Sequence, residues 1–347
     1  MSGTDNPPAP VISTMATDSS SAPLRRIDFH QHFFPSGELA AAYSGAPDNG
    51  WIFPPENFPW SPELSLACMD RLGTETTILS LTGSPGGDGA GSANRTFARQ
   101  LNLFAHQAVV DHPGRFGFFA NLPVPSDTDA ALDEMRFALD ELDADGVNLT
   151  SSYGVGASAR YVADDAFDPI WEELDRRGTL VFVHGDQTPS STPYPSPLLP
   201  IPVAEVPNET YKAAAHLVTS GKKRRFSNVR IILSHAGGST PFLASRVAVL
   251  SRHQGCELTP DEIIEDFRGF YYETALAGFR TNLVALEDFV EPDRILFGSD
   301  FPAVSVEMAQ WYTRNVDEYF AQRPDQLKQV MRGNALALLP RLRDAVR

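Results

Sequence analysis

The feature that most constrains the fold is a regular alternation of short β-branched or aromatic runs with longer amphipathic stretches. The short runs predict eight strands, at residues 24–29, 76–81, 116–122, 146–149, 179–183, 229–233, 270–273 and 294–297. Helical patterns occupy most of the gaps, at residues 63–72, 93–111, 128–142, 168–177, 209–222 and 241–252. Strands that alternate with helices form parallel sheets, and eight such units predict an α/β fold of the closed (β/α)8 TIM-barrel type.

An open, doubly wound sheet is the alternative arrangement of the same units. Such a sheet normally carries a Gly-x-Gly-x-x-Gly turn after its first strand. Here the first predicted strand leads into His30-Gln31-His32, and the glycine cluster at residues 86–89 lacks the Gly-Lys-Ser/Thr of a phosphate-binding loop. The sequence therefore favours the closed barrel.

The chain of 347 residues is longer than the barrel alone requires. Residues 1–23 are rich in Pro, Ser, Thr and Ala, which predicts a disordered tail, and residues 24–347 are predicted to form one domain. Residues 42–62 and 188–207 combine prolines with aromatic side chains, and loops of about 20 residues are usually functional. Helical patterns at 306–319 and 324–338 predict C-terminal helices packed outside the barrel.

Composition excludes several classes of protein. The chain carries 28 basic and 44 acidic side chains, a net charge of −16, whereas a duplex-binding protein needs a basic face. The one dense basic run, residues 222–225, is expected to be a solvated helix end. Neither a membrane-spanning run of about 18 apolar residues nor a secretory leader is evident, and Cys68 and Cys256 form no Cys-x-x-Cys pair. We expect a cytoplasmic protein without nucleic-acid or membrane partners.

Four histidines and one aspartate stand at the ends of four predicted strands. His30 and His32 follow the first, and residues i and i+2 of a strand face the same side. His184 ends the fifth strand, His235 follows the sixth and Asp300 follows the eighth. A barrel displays its functional groups at these strand ends, so we expect the five side chains to meet.

Imidazole nitrogens and one carboxylate suit a single divalent ion, with Zn²⁺ expected first and Mn²⁺ as the alternative. The competing interpretation is that each histidine is satisfied separately by hydrogen bonds in the core, which becomes less favoured for a set of five at strand ends. The remaining histidines lie in predicted helices or their flanks, where solvated or capping roles are expected: His106, His112, His216 and His253.

Four motifs in this order resemble the amidohydrolase superfamily, and within it the aminocarboxymuconate-semialdehyde decarboxylase-like branch. They are IDFHQH at 27–32, VFVHGD at 181–186, IILSHAGG at 231–238 and LFGSDFP at 296–302. Segments 61–73 and 207–226 look most like the fungal 6-methylsalicylate decarboxylases. The resemblance implies one metal held by four ligands, an acid/base histidine, and a homodimer. The implied ligands are His30, His32, His184 and Asp300, and the implied acid/base is His235.

The resemblance further implies a non-oxidative decarboxylase, a carboxy-lyase that converts an aromatic 2-hydroxy acid such as 6-methylsalicylate to 3-methylphenol and CO2. Either Asp300 or His235 would deliver the proton. Ser65 occupies the place of a substrate-binding arginine in the semialdehyde decarboxylases, which disfavours a second substrate carboxylate. The predicted walls of the ring pocket are aromatic: Phe33, Phe34, Trp60, Tyr194 and Phe301.

Two other functions remain open at this stage. The first is metal-dependent hydrolysis of a lactone, an amide or a ring-cleavage product, because the same ion could ionise water. The second is a non-catalytic binding or scaffold barrel. Loss of the strand-end ligands would indicate the second, and all five are present.

Overall fold

The computed structural model describes residues 24–35, 49–81, 91–154, 159–186 and 196–343. Its main sheet has eight strands: β1 (Arg26–His32), β2 (Thr74–Ser80), β3 (Phe116–Asn121), β4 (Gly146–Thr150), β5 (Leu180–His184), β6 (Arg230–Leu233), β7 (Tyr271–Glu273) and β8 (Ile295–Leu296). Each strand pairs in parallel with the next along the chain. The predicted (β/α)8 barrel is confirmed. The predicted tail, residues 1–23, lies outside the described residues.

Backbone hydrogen bonds from β1 to the segment after β8 close the barrel. Phe29 N donates to Phe297 O over 2.9 Å, and His32 N donates to Phe301 O over 2.8 Å. The buried carboxylate of Asp28 reinforces this junction, because its oxygens accept from the Ser299 hydroxyl at 2.6 Å and the Ser299 amide at 3.1 Å. β1 therefore continues through His30–His32, beyond the run predicted from sequence, because β2 and the segment after β8 supply partners for those residues.

The longer described helices are Pro62–Leu72, Ser92–Asp111, Thr128–Asp140, Asp168–Arg177, Val206–Thr219, Thr240–His253, Pro260–Arg268, Arg280–Phe289 and Val306–Phe320. Each predicted helix between strands is found, with ends shifted by a few residues. Helices Pro260–Arg268 and Arg280–Phe289 are not predicted above, although the first begins with a capping box of Thr259 and Glu262. No described helix is both long and apolar enough to cross a membrane.

Two expectations about helical segments need correction. The predicted helix at 324–338 is broken into Pro324–Lys328, a π-helical turn at Gln329–Gly333, and Asn334–Leu338. The basic run forms a short helix, Lys222–Arg225, and its first side chain is buried, so the expected solvated helix end is wrong there. Lys222 makes ion pairs with two carboxylates, Asp165 and Asp168, and these contacts compensate its burial.

Aromatic rings fill the barrel beneath the strand ends that carry the histidines. Phe119 and Phe182 stack with ring centroids 5.6 Å apart, and Phe29 packs against Phe119 at 6.3 Å. Leu338 and Leu342 from the C-terminal segment belong to the same buried cluster. The interior is thus apolar up to the level of the histidines.

We predict that Asp28→Ala lowers the free energy of unfolding by about 3 kcal/mol, because buried donors at the β1–β8 junction lose their acceptor. Urea unfolding followed by circular dichroism measures the change. Ser299→Ala, which removes one donor and leaves the carboxylate, is expected to cost about 1 kcal/mol. Equal stability of wild type and Asp28→Ala would contradict this account of barrel closure.

Candidate metal centre

The structure brings the five predicted strand-end residues together in one buried cluster. The ligand atoms of His30, His32 and His184 all lie within 4.8 Å of one another, as do those of His30, His235 and Asp300. All five side chains are buried, and His235 is the most accessible with 9% of its surface exposed. Chain segments that are far apart in sequence therefore form a single site.

Each of the four imidazoles has its Nδ1 atom next to a hydrogen-bond acceptor. His30 Nδ1 lies 2.8 Å from Glu273 Oε1, and His184 Nδ1 lies 2.8 Å from Gly185 O. His235 Nδ1 lies 3.2 Å from Ala275 O. Because carboxylate and carbonyl oxygens only accept, each of these rings carries a proton on Nδ1, and Nε2 is the nitrogen left to bind a metal.

His32 follows the same pattern through a hydroxyl. Its Nδ1 lies 3.1 Å from Ser80 Oγ, and that hydroxyl donates to Gln31 O over 3.3 Å. The hydroxyl therefore accepts from His32, so Nε2 is again the nitrogen that can bind a metal. Second acceptors that fix the tautomer in this way are characteristic of histidines that ligate metals.

The donor set has the spacing that a divalent ion requires. The Nε2 atoms of His30 and His32 are 2.9 Å apart, and Asp300 Oδ1 lies 3.3 Å and 3.1 Å from them. Ligand atoms at about 2.1 Å from one ion lie roughly 3 Å apart. Asp300 Oδ1 is buried and makes no hydrogen bond of acceptable geometry despite these short distances. A cation shared by the three atoms would satisfy it.

The electrostatics of the cluster also favour a cation. Burial opposes a charge on His30, but the carboxylates of Glu273 and Asp300 outweigh it and raise the pKa of His30 to about 10. Burial also opposes ionisation of Asp300, yet His30 and His32 hold its pKa well below the ordinary value. Burial and the charge on His30 lower the pKa of His184. The two carboxylates thus require positive charge, while His184 stays neutral and able to bind a metal.

Two of the site residues have backbone dihedral angles in the left-handed region. Asp300 has a φ of 64° and His235 a φ of 54°, backbone values that residues other than glycine rarely adopt. Strain of this kind concentrates at functional sites. Gly238, in the same turn as His235, has a φ of 61°, and a Cβ there would lie 1.8 Å from Pro207 O. The second glycine of the HAGG motif is therefore required by close approach of the backbone.

A cavity of about 510 Å³ opens onto this cluster. His32, His184, His235 and Asp300 lie along its lining. Most other lining side chains are apolar or aromatic: Trp51, Phe53, Pro202, Val203, Val206, Pro207, Leu276, Ala277, Ala303, Val304, Met308, Trp311 and Tyr312. Among the described lining residues there is no lysine or arginine. Both long loops singled out in the sequence contribute to these walls.

The predicted aromatic walls lie elsewhere or outside the described residues. Phe33 and Trp60 are buried and pack on Phe104, each with ring centroids 6.0 Å from it. Trp60 also donates to Ser65 Oγ over 3.0 Å. Phe301 is buried in another apolar cluster, and none of these three is among the cavity's lining residues. Tyr194 lies outside the described residues. A substrate-binding role for these residues stays a prediction.

Two buried carboxylates beside the cluster, Glu273 and Asp28, were not predicted from the sequence. Glu273, the last residue of β7, is completely buried and accepts from His30, from the amide of His235 and from the amide of Ala275. The signal for it was a glutamate that ends the run FYYE, at the same end of a strand as the histidines. Asp28 was missed in the same way.

Comparison with known proteins identifies one family and relatives that are decarboxylases. The family model described as Amidohydrolase matches residues 27–341. A decarboxylase of Penicillium terrestre is 41% identical over 92% of this chain and 96% of its own length. A 6-methylsalicylic acid decarboxylase of Aspergillus aculeatus is also 41% identical, over 92% of this chain and 97% of its own length.

Solved structures agree on the fold. A dihydroxybenzoic acid decarboxylase from Polaromonas sp. JS666, solved with bound manganese and the inhibitor 2-nitroresorcinol, superposes with a TM-score of 0.73 and 25% identity. The superposition covers 90% of this chain and 96% of that structure.

We predict that His184→Ala loses tightly bound metal, because an imidazole ligand is removed from the cluster. Elemental analysis of the purified protein after dialysis measures the metal content. His106→Ala is a matched control, since His106 lies on the helix Ser92–Asp111 with its Nδ1 3.1 Å from Leu142 O, and its loss should leave metal content unchanged. A full equivalent of metal in His184→Ala would remove His184 from the ligand set.

Proposed function

This chain belongs to the amidohydrolase family, and we propose that it is a metal-dependent decarboxylase of a small aromatic 2-hydroxy acid, 6-methylsalicylate first among them. The decarboxylases among its relatives confirm the predicted carboxy-lyase class. The observation that carries the proposal is the convergence of imidazole nitrogens and an unsatisfied carboxylate oxygen at the floor of an apolar cavity.

The proposed ligands are His30, His32, His184 and Asp300, which hold one ion, Zn²⁺ first and Mn²⁺ as the alternative. When bound, the ion supplies Lewis-acid attraction for the substrate carboxylate and the adjacent phenol oxygen. Asn148 stands in β4, where binuclear superfamily members carry a bridging lysine, and its amide donates to Leu81 O over 2.9 Å. This arrangement supports a single ion.

The cavity walls favour an aromatic monocarboxylate. Apolar side chains such as Val206, Leu276 and Val304 offer contact area to a ring and its methyl group. A second carboxylate would find no cationic side chain among the described lining residues. Ser65, in the place of the arginine of the semialdehyde decarboxylases, is buried against Trp60 and is not a lining residue.

We assign proton delivery to His235. Since the pKa of Asp300 is held well below its ordinary value by His30 and His32, against the effect of burial, its carboxylate stays ionised. His235 presents Nε2 to the cavity because Nδ1 is engaged by Ala275 O. His235 therefore faces the cavity with a nitrogen that can take a proton from solvent and deliver it to the substrate.

Decarboxylation would proceed in two stages, proton transfer and then cleavage of the carbon–carbon bond. The ring carbon that bears the carboxylate gains the proton from His235 Nε2, and aromaticity is lost. The bond from that carbon to the carboxylate then breaks, its electron pair restores the aromatic ring, and CO2 leaves. His235 is reprotonated from solvent for the next turnover.

We predict that the metal-loaded protein converts 6-methylsalicylate to 3-methylphenol and CO2, detected by mass spectrometry. Two matched compounds test whether the site requires the phenol oxygen and the methyl group of the substrate. 2-Methylbenzoate lacks the phenol oxygen and 3-hydroxyphthalate replaces the methyl group by a carboxylate, so both should react far more slowly. Hydrolysis of lactones without CO2 from any hydroxybenzoate would instead support the hydrolase alternative.

We predict that His235→Asn lowers kcat by about 10² to 10⁴-fold while metal content stays near that of the wild type, because only the proton donor is lost. Asp300→Asn is expected to lower both metal content and kcat, with a melting temperature close to that of the wild type. Metal analysis, turnover and thermal unfolding of the two variants measure these quantities. Unchanged turnover in His235→Asn would refute the assigned role.

A further inference from the structure

We propose that Glu273 is a positioning residue that couples metal ligation to proton transfer, by orienting His30 and His235 with one carboxylate. The inference rests on the proposed function, since it concerns the same site. Glu273 lies at the end of β7, has no exposed surface, and does not line the cavity among the described residues. It therefore acts through its neighbours rather than on the substrate.

Three donors converge on this carboxylate. Oε1 accepts from His30 Nδ1 at 2.8 Å and from the amide of His235, and Oε2 accepts from the amide of Ala275 at 2.6 Å. Both oxygens must therefore accept at once. An ionised carboxylate can do so, whereas an amide would present an NH2 group to at least one of these donors.

The same carboxylate fixes His235 by two routes. It holds the backbone of His235 directly through the amide. It also holds Ala275, whose carbonyl accepts from His235 Nδ1 at 3.2 Å and so sets the orientation of the ring. The rings of His30 and His235 consequently lie with centroids 4.8 Å apart. A shift of Glu273 would disturb both rings together.

The segment that follows Glu273 also shapes the cavity. Leu276 has a φ of 52°, in the left-handed region, and it lines the cavity with Ala277. The hydrogen bond from the Ala275 amide to Glu273 anchors this strained turn at its start. Glu273 thus supports one apolar wall as well as the two histidines.

Room for Glu273 depends on a glycine in the neighbouring segment. A Cβ on Gly298 would lie 2.0 Å from Glu273 Oε2 and 2.9 Å from His30 Cβ. The glycine of the GSD motif before Asp300 is therefore explained by the need to leave this carboxylate in place. It also provides a second way to displace Glu273 without removing it.

The test compares Glu273→Gln with Glu134→Gln. Glu134 is also buried and accepts two side-chain hydrogen bonds, from Arg99 at 2.7 Å and Asn102 at 2.7 Å, but it contacts none of the metal-site residues. The dissociation constant for Zn²⁺ is measured by chelator competition, and kcat on 6-methylsalicylate is measured at saturating Zn²⁺. Unfolding of both variants in urea reports stability separately.

We expect Glu273→Gln to bind Zn²⁺ about 10 to 100-fold more weakly and to keep a lowered kcat when saturated with metal. Glu134→Gln should change stability alone. A folded Glu273→Gln protein with wild-type zinc affinity, or with wild-type kcat at saturation, would overturn the inference. If that variant fails to fold, Gly298→Ala takes its place with the same expected losses, and wild-type values for it would likewise overturn the inference.

Failure of the proposed function would be distinguishable. A wild-type protein that binds Zn²⁺ tightly but releases no CO2 from hydroxybenzoates would contradict the decarboxylase. The zinc affinities of Glu273→Gln and Glu134→Gln would still decide whether Glu273 positions a metal ligand.

Discussion

Burial of carboxylates at the end of an apolar barrel is the constraint on which the site depends. An ionised carboxylate that leaves water must be matched by donors or by positive charge. Asp28 is matched by the hydroxyl and amide of Ser299, and Glu273 by one ring N–H and two amides. Of these three carboxylates, Asp300 is the one with a buried oxygen that lacks a hydrogen bond, and this Oδ1 lies next to the Nε2 atoms of His30 and His32. The pattern of satisfied and unsatisfied oxygens locates the position for a cation.

The carboxylates of Asp28 and Glu273 also link strands of the barrel and so hold the site residues in place. Asp28 joins β1 to the segment after β8, and Glu273 joins β7 to residues from β1 and from the turn after β6. The proposed ligands from β1 and the proposed acid/base residue are therefore held by side chains that also tie the strands together. Closure of the barrel and geometry of the site have a common origin, and a site built on strands in this way is held more rigidly than one built on free loops.

Much of the site could be predicted from the sequence because parallel strands align their carboxyl ends. His184 and Asp300 each follow an apolar run, and this position alone indicates that they face the same region. Glu273 was harder to find, since β7 has only three residues and a lone glutamate ordinarily indicates an exposed position. Lys222 shows the reverse case, because its burial depends on carboxylates from a distant helix that no local pattern reveals.

The cavity walls were less predictable than the metal cluster, for a physical reason. Phe33 follows the His-x-His pair directly, but alternation along the strand turns it toward Phe104 and away from the site. The observed walls come instead from the helix Val306–Phe320 and the long loops, whose placement is set by tertiary packing. Trp51, for instance, is fixed by a hydrogen bond to Ala303 O at 2.9 Å.

The packing of the opposite end of the barrel limits how molecules can enter and leave the cavity. Phe29, Phe119 and Phe182 occupy the interior below the histidines, and Leu338 and Leu342 seal it from beneath. In the part of the chain that the structure describes, the barrel interior is therefore closed below the histidines. In the proposed reaction, the substrate, CO2 and the phenol product would all exchange with solvent on the histidine side of the barrel, and a phenol that leaves slowly would compete there with the next substrate molecule.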